Sequence, residues 1–528
     1  MNNVNVSSSR IMNIMRIACS AVGLLRPMRR IVFAMLVGLL WFGAIIVRAA
    51  DRYVAQGGQT PAPNYASWAT AASNIQDAIT VASGGEIVWV SNGVYEVGGV
   101  TNWPSGTLLT NRVAITNAIT VRSANNDPTN TIIKGARNNG TNGPAAVRCV
   151  YMADGSSLIG FMLTNGATRS EGASGDKYGG GVYCQSTSAI ISNCVIVSNL
   201  AYGASAGVYQ GTLYNCQVTN NTSLNSTAGA FRSILYNCTI ANNKIASGTY
   251  FYGLAVQACT LSNCTISGNI GGNGNGGASY DCMMYNCTVT NNGAWGCGGV
   301  RGGTNYNCTI ENNVSSSGGA GGANNSTLYN CILRNNYSGW QDTTHGGGAR
   351  GGTLYNCLLV GNGTSGNGGG VSGSTLYNCL IVSNRVGATG YPDRLGGGAY
   401  NCTLYNVTIV SNWIAGAGTA GGGAHTSTLY NCISWDNEFG DSAITAYYSC
   451  GVDYSGNNNI TNNPLFVNSA GGNYRVVASS PCVNTGSNQN WMTNALDLDG
   501  NRRIDRFSGC VDMGAYEFFP KGTLFEMH

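Results

Sequence analysis

One phrase recurs along the middle of the chain: a Cys, an aliphatic residue two positions later and an Asn five positions later. It begins at Cys194, Cys216, Cys238, Cys264, Cys287, Cys308, Cys331, Cys357, Cys379, Val407 and Cys432, at intervals of 21–28 residues. The Asn never fails: Asn199, Asn221, Asn243, Asn269, Asn292, Asn313, Asn336, Asn362, Asn384, Asn412 and Asn437. The aliphatic position is Ile, Val or Leu throughout, except at Ser434. Residues two apart share one face of a strand, and the residue between them faces the other way. A unit this short cannot bury its apolar face alone, so such units stack into a solenoid. Gly, Asn and Thr are poor helix formers, which excludes a helical repeat. The expected class is all-β, a parallel β-solenoid with strands about 4.8 Å apart from turn to turn.

Each column of this stack has a structural reading. The Asn is expected to take a left-handed backbone at a bend and to bond the same amide one turn on, a ladder running from Asn199 to Asn437. The Cys column is expected to fill a narrow core as reduced thiols. With Cys19 in the export segment, 19 of the 20 cysteines remain, so complete pairing within one chain is impossible. Cys450, Cys482 and Cys510 lie outside the repeat and are the better disulfide candidates. The Tyr of the repeat, as in Tyr329 and Tyr355, forms a further column, either a structural stack or a sugar-stacking stripe.

The chain opens with an export signal. Arg26, Arg29 and Arg30 precede an apolar run from Ile31 to Val47, with small residues at Ala49 and Ala50. Residues 1–50 are read as a signal peptide with an extended n-region, and an uncleaved membrane anchor is the alternative. Charged residues make up only 9% of the chain and the net charge is +4 without a basic run, which gives no case for nucleic-acid binding. A solenoid needs caps. Residues 51–145 are expected to hold an N-terminal cap, with a helix over Ser73–Ala82, and the first turns. Regular repeats fill 146–440, a C-terminal cap 441–520 and a tail 521–528. The chain is expected to act as a monomer.

The stretch from Ser67-Trp68-Ala69-Thr70 to Val94-Tyr95, the repeats and the closing segment together resemble bacterial right-handed β-helix proteins of the pectin-lyase-like superfamily. The ending, with Asp497–Arg503 and Val511–Phe518, is similar to the module called choice-of-anchor Q. The Gly-Gly-Ala phrases are similar to repeats of polymorphic outer-membrane proteins, although no translocator barrel follows Phe518 here. The resemblance implies a right-handed β-helix outside the cell or on its outer surface. It leaves two functions open: adhesion to a glycan or another surface ligand, or a polysaccharide lyase or glycoside hydrolase.

Enzymes of either kind need charges gathered on neighbouring turns, and a hydrolase needs two carboxyl groups roughly 5–9.5 Å apart. Between residues 190 and 434 the acidic residues are Asp281, Glu311, Asp342 and Asp393, at different phases of the repeat. The trio Asp436, Glu438 and Asp441 is the catalytic candidate, and Glu171, Asp176 and Lys177 form a second group; a solvated loop is the plainer reading of both. Asp497, Asp499 and Asn501 have the alternate spacing of a calcium loop, but no Glu stands at its twelfth position, and a tight turn is expected. No cofactor is implied beyond that calcium. The binding candidate is a variable column after each Gly-rich run: Tyr183, Tyr209, Ser279, Arg301, Asn324, Arg350, Ser372, Tyr400 and His425, with Trp340 and His345 among the residues that the neighbouring loops add. Aromatics with Arg on an extended face suit glycan or peptide recognition.

The register behind all these columns has a direct test. Glu311 and Arg334 each stand three residues after their Cys, one turn apart. Both are expected outside, side by side, as an ion pair worth roughly 0.2–1 kcal/mol. A slip of one residue would turn one of them into the core.

Overall fold

A computed structural model describes residues 50–519 apart from 247–252, 272–273, 275, 340–344, 388–393, 416–419 and 507. The export segment and Trp340 therefore lie outside the described residues. Among the described residues no helix is long and apolar enough to cross a membrane.

The chain winds into a right-handed parallel β-helix. One turn shows the plan, with four short strands at Val208–Tyr209, Thr212–Tyr214, Gln217–Thr219 and Thr222–Ser223. Each pairs in parallel with its counterpart in the next turn, residue for residue, as Val218 with Ile240. The third strands form a fifteen-stranded sheet from Gly93–Tyr95 to Cys450–Gly451, so the stack continues past residue 440. First and second strands share a 27-stranded sheet. Glu311 stands opposite Arg334 and the two form an ion pair, with Arg334 exposed, as the register test requires.

Three corners per turn carry left-handed residues, here Gln210, Asn215 and Asn220 at φ of 53–60°. The expected left-handed backbone thus falls on the residue before the ladder Asn, and the ladder Asn itself points inward. Its amide has a different task. Asn313 donates from its amide to Asn336 Oδ1 at 3.1 Å and to the Val289 carbonyl at 2.9 Å. Its own Oδ1 accepts the backbone N–H and the amide of Asn292. Ten such amide–amide bonds of 2.9–3.1 Å join all eleven asparagines without a break. The Gly runs lie where the next turn's backbone and, at some positions, this row come close. A Cβ on Gly348 would lie 2.6 Å from the Gly370 carbonyl and 3.0 Å from the Asn362 amide, and Gly398 meets Gly423 and Asn412 in the same way.

The Cys column is buried and every described cysteine is a free thiol. A helix at Ile75–Val81 closes the first end, with Asn74 as its cap and Ile75, Ala78 and Ile79 against the core. At the other end the Tyr454 ring joins the core and its hydroxyl donates to Asp441.

The closing segment does more than cap. After an antiparallel hairpin, Phe466–Asn468 with Asn473–Val476, it lies against the outer face of the third-strand sheet. There Leu380, Val382 and Val410 pack with Tyr474, Phe466, Leu498 and Tyr516. Asn378 and Asn406 donate to the Leu496 and Asp512 carbonyls, and Trp491 meets Tyr377 edge-on at 5.1 Å. The outward position of that sheet changes to suit. It is Thr at Thr239, Thr265, Thr288 and Thr309, then Ile332, Leu358 and Leu380. Inside this segment the buried Arg503 guanidinium lies 3.0 Å from the Glu517 carboxyl. Burial pushes the Glu517 carboxyl up to about 8, against the pull of Arg503.

Two predictions follow from these contacts. Asn313→Ala strips the buried Asn292 donors of their acceptor and should cost about 3 kcal/mol or more in urea unfolding. Asn286→Ala, at a left-handed but exposed corner, should cost about 1–2 kcal/mol; equal losses would remove the ladder from its place in the argument. Glu517 holds a proton when folded that the unfolded chain releases above its ordinary 4.5. Its contribution is complete below that pH and is lost as pH rises towards 8. Glu517→Gln should flatten this part of the pH profile of stability, and parallel profiles would contradict the assignment.

Candidate functional site

Each first strand ends on an outward residue, and the backbone pairing aligns these into one column. Its order is Tyr183, Tyr209, Phe231, Gln257, Tyr280, Arg301, Asn324, Arg350, Ser372, Tyr400 and His425. Ser279 does not belong to it: its side chain is buried, and Tyr280 takes the place opposite Arg301. Phe231 and Gln257 were missed as well. Counting forward from the Gly run drifts with loop length. Counting back two from the small corner residue (Ser233, Cys259, Cys282, Gly303, Ser326) finds every member from Tyr209 onward, because a link of fixed length joins them; only Tyr183, with a longer corner, escapes it.

The column has three stretches. At its start Tyr151, Tyr183, Tyr209 and Phe231 stack at centroid distances of 4.7–6.1 Å. Trp103 covers Tyr151, and the buried Arg148 guanidinium lies 4.9 Å from the Tyr183 ring centroid, so this stretch is closed. In the middle Arg301, Asn324 and Arg350 occupy successive turns and, with Trp295, line a cavity of about 360 Å³. No carboxylate is among the described residues lining it. The Gly318 carbonyl holds the Arg350 guanidinium, and Arg301 lies 5.8 Å from the Tyr280 ring centroid.

In the last stretch the small Ser372 leaves a gap, which His345 fills from the preceding loop. Its ring lies parallel to Tyr400 at 5.8 Å, and His425 follows at 5.9 Å on the other side. Nδ1 of each His is buried without a hydrogen-bond partner among the described residues. Burial, then the nearby Arg350 and Arg394, hold His345 below the usual imidazole range, and burial alone does so for His425. Two neutral imidazoles, a phenol and two guanidinium groups thus share one face, a surface of donors and flat rings.

The other candidates are placed differently. Asp436 and Asp441 line one cavity of about 460 Å³ with Asp453, and Glu438 is not among its lining residues. Burial raises the Asp441 carboxyl, yet both its oxygens are engaged, by the Ala424 N–H and the Tyr454 hydroxyl. Glu438 accepts from the Ile414 N–H. Asp176 accepts the Leu108 and Leu109 N–H groups at 2.8 Å, a structural task. Asp497 Oδ1 accepts the N–H groups of Asp499 and Asn501, its Oδ2 accepts that of Glu517, and Asp499 pairs with Arg475. That is a tight turn, with Gly500 at φ 83°. No cluster of three or more metal-ligating side chains occurs among the described residues. The repeat tyrosines from Tyr285 to Tyr447 stack on each other at 4.8–5.1 Å and 4–9°. Their faces are occupied by one another, so only ring edges and hydroxyls reach solvent.

No family model matches the chain, and no curated protein matches it in sequence. Solved structures do. The solved structures it resembles are pectate lyase and other right-handed parallel β-helix proteins. A pectate lyase aligns at 13% identity over 88% of this chain and 96% of its own, with a TM-score of 0.26. The catalytic unit of a thermostable α-1,3-glucanase from Streptomyces thermodiastaticus aligns at 12% over 73% of this chain and 66% of its own, with a TM-score of 0.33. A polygalacturonase from Erwinia carotovora aligns at 10% over 79% of this chain and 96% of its own, with a TM-score of 0.25. Likeness at this level carries nothing about activity, and the β-helix stands on the registers described above.

The two histidines give this site its own test. Proton NMR should show both imidazoles titrating below 6.5. Arg350→Ala should raise the His345 midpoint and leave His425 where it is; equal movement of both would contradict the placement.

Proposed function

We propose that the chain is an exported, surface-associated binding protein that holds an acidic glycan along its first-strand face without cleaving it. The observation that carries this reading is the cavity shared by Arg301, Asn324 and Arg350. The two guanidinium groups are rooted two strand spacings apart, about 10 Å. Guanidinium binds carboxylate or sulfate through paired N–H donors, and Asn offers both a donor and an acceptor to hydroxyls. Tyr400, between its two imidazoles, extends the same face. A linear polymer lying along the solenoid axis would meet these groups in sequence. The apolar run at Ile31–Val47, the sparse charge and the anchor-like closing segment support placement outside the cell.

The test is binding of the purified chain to polyuronate, sulfated and neutral glycans. Acidic polymers should bind, more weakly as salt rises, because the contacts are ionic. The Arg301→Ala/Arg350→Ala double variant should lose roughly tenfold or more in affinity, the equivalent of about 1.4 kcal/mol. Unchanged affinity would remove this face from the account. The same incubations, followed for unsaturated products absorbing in the ultraviolet and for new reducing ends, read catalysis directly. Turnover abolished by Asp436→Asn or Asp441→Asn would replace adhesion with a lyase or hydrolase.

A further inference from the structure

We propose that Cys450 and Cys482 form a disulfide that fastens the closing segment to the last turn of the solenoid. Cys450 lies on the final third strand, which pairs with Ile433–Ser434 of the preceding turn. Cys482 belongs to the segment that returns along the flank, and its carbonyl accepts the Met513 N–H at 3.0 Å. Both side chains are fully buried in one small cluster with Ile433, Val476 and Met513. The neighbouring Cys482 thiol, then burial, raises the Cys450 thiol, whose Sγ donates to the Asn462 carbonyl at 3.2 Å.

The other cysteines are placed against such a bond. Along the repeat column, thiols also follow one another from turn to turn, but a parallel in-register ladder holds their Cβ atoms about 4.8 Å apart. A disulfide needs roughly 3.5–4.5 Å, with Cβ vectors that approach each other rather than run side by side. Closing one would pull the ladder out of register. Cys450 and Cys482 come from two separate elements and are free of that constraint. Cys510 is half-buried and stands outside their cluster.

The bond forms by exchange with a small-molecule or protein disulfide. One thiolate attacks the oxidant and gives a mixed disulfide; the second cysteine displaces the oxidant's remaining thiol. Two electrons and two protons pass to the oxidant, which leaves as two thiols. The oxidising surroundings rest on the reading of the chain as exported, whereas the pairing itself does not.

The experiment equilibrates the purified full chain with a mixture of oxidised and reduced glutathione, alkylates it in denaturant and maps its peptides. The expected result is one cross-linked peptide joining Cys450 to Cys482, with seventeen of the nineteen cysteines from Cys149 to Cys510 alkylated. A bond between column neighbours, a bond to Cys510 or no bond at all would overturn the proposal. Proteolysis of the folded chain supplies a second reading. Reductant should speed cleavage within residues 460–519 of the wild type and of Cys510→Ser, and should leave Cys482→Ser unaffected. Equal sensitivity of Cys482→Ser to reductant would equally overturn it. Failure here leaves glycan binding by Arg301 and Arg350 untouched, since that face lies on another side of the turn.

Discussion

The unbroken row of asparagine amides is the constraint on which the rest of the molecule depends. Each amide satisfies its own hydrogen-bonding groups only if the next turn presents another amide at the same height. A buried amide left short of partners costs about 1–3 kcal/mol, so a slipped turn is penalised where water cannot repair it. Apolar contacts alone would tolerate such slips, because Ile, Val and Leu pack acceptably in many registers. The row therefore sets the height of every turn, and the outward columns inherit their alignment from it. At Gly348, Gly370 and Gly398 the amide and the next turn's backbone carbonyl together leave no room for a Cβ.

Much of this was legible in the sequence because two facts repeat in step. The spacing of Cys to aliphatic residue names the inward face, and the spacing of Cys to Asn names the corner. Glu311 and Arg334 fell beside each other for that reason alone. What misled was the double use of asparagine. Left-handed backbone and ladder amide fall on neighbouring residues, Asn220 and Asn221 or Asn312 and Asn313, and composition does not tell one from the other. The outward column was legible at Arg301, Arg350, Tyr400 and His425. It failed at Ser279, because the loop before that strand changes length and only the corner after it is fixed.

The flank contact was also written in the chain, in a column nobody reads for cores. Outward positions of the third strand turn from Thr309 and Glu311 to Leu380 and Val382, and an exposed sheet face seldom does that without a partner. The partner is the closing segment, which encloses the buried Arg503–Glu517 pair. His345 was legible as a loop residue beside the column, but its place within the column was not. It enters the column from a loop, over the small Ser372 one turn on, and meets Tyr400 two turns on, and no local pattern records that.

A second row of asparagines runs along the exposed corner, from Asn237 through Asn263 and Asn286 to Asn330. Its amides donate towards the preceding turn, whereas the buried amides donate towards the following one. An aligned file of amide groups is a dipole whose poles grow more exposed as the file lengthens, as in a long α-helix. Here two such files lie antiparallel in one rod and their fields oppose. Over the turns from Asn237 to Asn330, where both files run, each added turn therefore contributes less opposite charge to the tips than a single file would.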